Sequence, residues 1–334
     1  MPLEALRDDV TPIGLHYLLI HYDIPRVDAQ TWRLEVDGRV GTELSLDLDA
    51  LRALPSHEVV ATMECAGNGR ARLEPRPVSQ PWLLEAVGTG RWHGVLLREL
   101  LHRAGVKPGT AEVLFTGLDR GIEGGEEQFF QRSLALADAQ GPDVLLAYEL
   151  NGVPLPPQHG FPLRLLVPGW YGMTNVKWLR RITLTGEPFT GYQQARGYRL
   201  RQTDDDAGEP LSRIHPRALM VPPGIPDFMT RERTVQAGTV TVEGRAWSGL
   251  APVASVEVST DDGATWQDAQ LDPPELGRWA WQHWSYEWNA AEPGRHVLAC
   301  RARDVAGNAQ SLAQRWNVGG YANNEVQRVV VTVG

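Results

Sequence analysis

Cys65 lies in the run Glu64-Cys65-Ala66-Gly67-Asn68-Gly69-Arg70 and is one of 2 cysteines in 334 residues. A thiolate is a soft ligand for transition metals, and a nearby cation favours the ionised sulfur that a metal or an electrophile needs. The plain alternative is a cysteine packed as a small hydrophobe, the usual fate of a free thiol. The preceding residues 58–63 predict a strand, and Ala66-Gly67-Asn68-Gly69 stops it. Cys65 is therefore expected at a strand exit, where glycine lets a ligand approach the backbone.

A second group sits downstream, in Pro157-Gln158-His159-Gly160-Phe161-Pro162-Leu163-Arg164. Prolines and glycines hold the loop around His159, and a histidine and an arginine on such a frame suit a phosphate or a polar heterocycle. A loop histidine that only hydrogen-bonds locally is the competing reading. Gly172-Met173-Thr174-Asn175-Val176-Lys177-Trp178 adds a cation among small, backbone-exposing residues, which suits an anion. A solvated lysine at a strand edge is its alternative. The phosphate-binding P-loop, Gly-x-Gly-x-x-Gly, His-Glu-x-x-His and Gly-x-Ser-x-Gly patterns are all absent, which removes the common nucleotide, zinc-peptidase and serine-hydrolase readings.

Positioning these groups falls to a chain too long for one typical domain. Between about Trp32 and Arg181 short apolar runs alternate with helix-like segments at 48–53, 96–104 and around 134–139. They do not alternate regularly with long amphipathic helices, so a doubly wound parallel sheet is not implied and the class is α+β. The acidic stretch 202–210 and the proline-rich 221–226 mark a boundary, giving domains 1–207 and 208–334. Beyond Thr234, evenly spaced strands at 239–246, 253–259, 280–288, 296–304 and 327–333 predict an antiparallel β-sandwich. Trp247, Trp266, Trp279, Trp281, Trp284, Trp288 and Trp316 are expected to fill its core and an interface. Cys300, in an alternating strand pattern, is expected in that core without chemistry.

A net charge of −9 argues against a nucleic-acid partner, which would meet a basic face. No run of about 18 apolar residues encodes a membrane span. The first ten residues lack a basic segment leading into an apolar stretch, so a cytoplasmic chain is expected, and two cysteines fit a reducing compartment.

Taken together and in order, Glu64–Arg70, His159-Gly160-Phe161-Pro162-Leu163-Arg164, Val167-Pro168-Gly169 and Val176-Lys177-Trp178-Leu179 resemble the signatures of the sulfite oxidase family of molybdenum enzymes. Gly244–Gly249, Val258–Trp266 and Arg315-Trp316-Asn317 resemble that family's C-terminal dimerisation domain, an Ig-like sandwich behind the mixed α+β molybdopterin-binding domain. The resemblance implies that Cys65 gives a thiolate to molybdenum held otherwise by a molybdopterin dithiolene and oxo groups. It also implies that His159, Arg164, Asn175 and Lys177 bind the pterin and its phosphate. His21, Asp119 and Ser133 match further cofactor-contacting positions. Arg70 would hold an anionic substrate and Tyr198 would stand near the oxo group, although Tyr198 matches with a one-residue shift from Gly197.

The implied activity is oxygen-atom transfer, with a small oxyanion such as sulfite as substrate, a separate one-electron acceptor such as a cytochrome, and a homodimer built through the C-terminal domain. Two substrate-facing arginines of the animal and plant enzymes have no counterpart: Leu19 stands at one position, and Leu250-Ala251-Pro252 follow the Trp-Ser-Gly of the sandwich. Three other readings compete. They are a reductase of S- or N-oxides on the same cofactor, a non-catalytic Ig-like binding module, and a cysteine-nucleophile hydrolase with His159 as its base.

Overall fold

Asp47 opens the first of only three short α-helices, accepting the Ala50 backbone N–H at 2.8 Å as an N-cap should. The second helix, 97–104, buries Leu97, Leu100, Leu101 and Ala104 at three- and four-residue spacing, and ends on left-handed Gly105. Apart from such pieces the computed structural model, which describes residues 1–334, is mostly sheet. It divides into two compact units.

The mixed unit comprises residues 18–66 and 90–212. Its strands are β1 (Leu34–Gly38), β2 (Leu44–Leu46), β3 (Ser56–Glu64), β4 (Val87–Leu96, within this unit from Gly90), β5 (Glu112–Glu123), β6 (Glu126–Ala135), β7 (Leu145–Leu150), β8 (Val153–Pro154), β9 (Arg164–Leu166), β10 (Leu179–Thr185), β11 (Arg199–Leu200) and β12 (Glu209–Pro210). One sheet runs β2-β1-β10-β5-β6, with β1 and β10 parallel and its other pairs antiparallel. A second runs β3-β4-β7-β8, with β9 also on β7. The register of β5 slips against both neighbours: Thr116 faces Gln131 but Arg120 faces Phe129, and Gly117 faces Leu179 while Thr116 faces Arg181. Such a bulge re-aims side chains, here Asp119. It needs Gly117, because a Cβ there would stand 2.5 Å from Asp119 Oδ1 and 2.8 Å from the Lys177 carbonyl oxygen.

The two-sheet unit comprises residues 1–17, 67–89 and 213–334. Its strands are β13 (Arg217–Met220), β14 (Ile225–Pro226), β15 (Arg233–Val235), β16 (Gly238–Trp247), β17 (Val253–Ser259), β18 (Gln267–Asp268), β19 (Gln270–Leu271), β20 (Gln282–Ala290), β21 (Gly294–Asp304) and β22 (Gln327–Val333). The sheets β13-β16-β20-β19 and β14-β15-β22-β21-β17-β18 share one apolar core. Ala218, Met220, Val242 and Trp284 come from the first; Val256, Leu298, Cys300 and Val331 come from the second. The expected all-antiparallel pairing needs one correction: β15 runs parallel to β22, with Arg233 opposite Val331.

A division at 207/208 omits two pieces of this unit, since residues 1–17 and 67–89 cluster with 213–334. Nor do all the tryptophans fill the core. Trp284 and Trp288 do, Trp247 and Trp281 are buried with ring centroids 6.3 Å apart, and half-buried Trp266 and Trp279 lie under Arg301 and Arg278. No helix is long and apolar enough to cross a membrane.

Candidate functional site

Cys65 is buried immediately after the end of β3 and takes part in no disulfide. Two residues earlier, Met63 offers its sulfur to the Arg164 Nη2 group at 3.5 Å, which ties this strand end to β9. Arg164 is itself buried and braced: it donates to the His159 carbonyl at 3.0 Å and the Asn175 carbonyl at 3.1 Å, and its guanidinium lies 4.8 Å from the Trp92 ring. One cation thus holds together the loops that carry His159 and Asn175. Asn175 spends its own amide inside the protein, accepting from Val167 N–H at 2.7 Å and donating to Tyr171 O at 3.3 Å. Its amide thereby shapes the 167–175 loop.

Lys177 donates to the Leu19 carbonyl at 2.7 Å, and its ammonium lies 4.4 Å from the Trp178 ring. Burial lowers its pKa to about 7, helped by the Arg164 charge and opposed by Asp119. Asp119, only 3% exposed, is pushed up to about 7 by burial, against the pull of Lys177 and His21. Its Oδ1 is buried with no hydrogen-bond partner. An acid and a base are thus both driven toward neutrality by a desolvating environment, and one acceptor is left unused.

His21 connects this pair to a second network. Its Nε2 lies 3.0 Å from Glu123 Oε2, its Nδ1 lies 3.2 Å from the Tyr198 hydroxyl, and its ring packs 4.9 Å from that of Phe130. Tyr198 follows a one-turn π-helix, Gln193–Gly197, a feature frequent at functional sites. The Arg132 guanidinium lies 5.6 Å from the Tyr198 ring and donates to the Gln193 carbonyl.

Ser133 lies on β6 at a different parity from its neighbours. Strand alternation turns Ser133 away from the face of β6 that carries Phe130 and Arg132, and its cross-strand partner is Leu114. Its hydroxyl is buried and unpaired. Arg70 belongs to the two-sheet unit, where its guanidinium donates to Gly319 O at 3.0 Å and Gln80 O at 3.1 Å and lies 5.1 Å from the Tyr321 ring. A Cβ at Gly67 would strike its Nη1 at 2.5 Å, so glycine leaves room for the cation. Sequence reading missed Glu123. It lies in no motif, and its bonds to His21 and Tyr22 span 102 and 101 residues.

A family model described as "Oxidoreductase molybdopterin binding domain" matches residues 21–193, and one described as "Mo-co oxidoreductase dimerisation domain" matches residues 221–334. The chain is 36% identical to the mitochondrial sulfite oxidase of Rattus norvegicus and 37% identical to the sulfite oxidase of Gallus gallus. The alignments cover 99% and 98% of this chain and 63% and 74% of those relatives. The chain belongs to the sulfite oxidase family of molybdopterin-dependent oxidoreductases.

Further family relatives include a nitrate reductase of Hordeum vulgare, 34% identical over 99% of this chain and 40% of that protein. Among solved structures, the sulfane dehydrogenase SoxCD of Paracoccus pantotrophus matches with a TM-score of 0.85 at 26% identity, over 100% of this chain and 86% of that one. The cofactor of this family is molybdopterin carrying molybdenum, and the residues fit it. The buried thiol of Cys65, at the exit of β3, offers one soft donor to a metal that brings its remaining donors with it. The unpaired Asp119 Oδ1 and the desolvated Lys177 suit a polar, anionic organic group.

Proposed function

We propose that this chain performs oxygen-atom transfer on a small sulfur oxyanion, with sulfite as the first candidate. Buried charge supports the reading most directly: Asp119, Lys177 and Arg164 lie in one unit with a strand-exit thiol, and Asp119 retains an unused acceptor. When bound, the molybdenum cofactor supplies two-electron transfer of an oxygen atom to or from a small molecule. Cys65 would be its protein ligand. His159, Arg164 and Lys177 would hold the pterin and its phosphate, Lys177 regaining its proton beside the anion. Asp119 would take a pterin donor at its unpaired oxygen. Asn175 would act through the shape of its loop, and His21 would orient Tyr198 toward the substrate.

We take the two-sheet unit as an Ig-like sandwich through which the chain forms a homodimer, and we expect electrons to leave one at a time to a separate carrier such as a cytochrome. Sedimentation of a monomer at micromolar concentration would overturn the dimer.

Where relatives of the animal and plant type carry a substrate-facing arginine, Leu19 contributes only its carbonyl, to Lys177. Each charged hydrogen bond lost costs about 1.5–3 kcal/mol, so a dianion should be held more weakly here. Together with the match to a sulfane dehydrogenase, this favours oxidation of a less charged or sulfane-type sulfur as the second reading. Steady-state assays of the molybdenum-loaded protein with sulfite, a sulfane-sulfur compound and a sulfoxide, using artificial acceptors and donors, separate the cases. The proposal expects turnover with an oxidisable sulfur compound. Turnover of the sulfoxide alone would reverse the direction of the reaction.

A further inference from the structure

We propose that Glu123 is a positioning residue that fixes His21 in its Nε2–H form and thereby sets the direction of the Tyr198 hydroxyl. The inference rests on the reading that Tyr198 faces the reacting group. Glu123 Oε2 collects three donors: His21 Nε2 at 3.0 Å, the Tyr22 hydroxyl at 2.9 Å and Gln193 Nε2 at 3.1 Å. Burial favours the protonated acid, but the bond and the charge of His21, with bonds from Tyr22 and Gln193, outweigh it and hold the carboxyl below its ordinary pKa. A carboxylate can only accept, so the His21 nitrogen facing it must carry the proton. In neutral His21 the other nitrogen, Nδ1, is then an acceptor, and the Tyr198 hydroxyl 3.2 Å away donates to it. The phenol proton is thereby committed to His21.

The bland alternative is a structural clasp. Glu123 closes the β5–β6 hairpin through Gly124 and Gly125, both at positive φ, and ties the hairpin tip to the 21–22 segment and the π-helix. A clasp needs Tyr22 and Gln193 as much as it needs His21. Tautomer control needs only the His21 bond.

The full-length cofactor-loaded protein, labelled with ¹⁵N-histidine and with His21 assigned by its loss in His21→Gln, reports the tautomer directly. With His21 neutral, the wild type should show a protonated Nε2 and an unprotonated Nδ1. Glu123→Ala should lose this single form and lower kcat by about 10- to 100-fold, the usual scale for an orienting partner behind an imidazole, with pterin content per chain retained. Tyr22→Phe should leave the tautomer and kcat unchanged.

A wild-type Nδ1–H form, or an unaltered tautomer in Glu123→Ala, would overturn the proposal, as would an equal loss of kcat in Tyr22→Phe. The spectrum of the wild type decides even if Glu123→Ala does not fold. Because the tautomer requires no turnover, absence of pterin or of any oxidisable substrate would sink the functional reading separately.

Discussion

The two cysteines occupy opposite kinds of surroundings. Cys300 sits in mid-strand within the apolar core of the two-sheet unit, its thiol 3.5 Å from the Ala218 carbonyl and its pKa driven up by burial. Cys65 ends a strand in the mixed unit, which also carries a buried lysine and aspartate shifted to about 7. Two buried charges differ in the same way. In the two-sheet unit Arg245 is met by the Asp9 carboxylate at 2.9 Å and by the Leu6 and Arg7 carbonyls. In the mixed unit Lys177 meets carbonyls, and Asp119 keeps an empty oxygen. Arg245 thus serves the fold, whereas the unpaired oxygen of Asp119, in a unit that also holds a thiol and a lysine shifted to about 7, is open to a ligand.

The largest difference should come from matched thiol substitutions. Cys65→Ser should abolish turnover with any substrate, whereas Cys300→Ser should cost only about 1–3 kcal/mol of stability by placing a hydroxyl in the core, with activity per folded molecule intact. Equal activity losses in the two would erase the contrast. Trp284→Ala, at a fully buried position in the shared core, should destabilise by about 3–5 kcal/mol, measured by denaturant unfolding, with no change in pterin content per folded chain.

A subtler effect concerns the Asp119 and Lys177 pair in cofactor-free protein. Asp119 has a raised folded pKa, so its stability contribution is fully present below about 4 and is lost as pH rises to about 7. Lys177 has a lowered folded pKa, so its cost is full below about 7 and is relieved as pH rises toward about 10. Thermal melts across pH should show the pair contributing a shallow minimum near neutrality. Asp119→Asn should remove its acid limb and Lys177→Met its alkaline limb; unchanged melting profiles would show that neither group is held near neutrality.

Much of the site is legible in the sequence because its residues travel in short runs. Cys65, His159, Arg164 and Lys177 each sit in a motif whose glycines and prolines imply the loop that carries them. Asp119 is aimed by a β5 bulge, but that bulge depends on pairing with two other strands. The face that Ser133 occupies is not legible from the resemblance, because a one-residue step in a strand reverses the face. The role of Arg70 is read from the family resemblance, which does not reveal that the chain passes between compact units at Ala66/Gly67. Glu123 gave no local signal, since its bond to His21 joins residues 102 positions apart. In the fold, the regular strands 253–259 and 327–333 match their predicted bounds. The short strands Arg217–Met220 and Arg233–Val235 flank a proline-rich stretch that hides any alternation.

The claim that Cys65 is the protein's ligand to molybdenum is tested most directly by X-ray absorption at the molybdenum edge, comparing the purified wild type with Cys65→Ser. The account predicts that the wild type holds molybdenum with the pterin sulfurs and one thiolate more, and that the variant shows that one sulfur scatterer fewer. A wild type without molybdenum, or a variant with an unchanged sulfur shell, would contradict it.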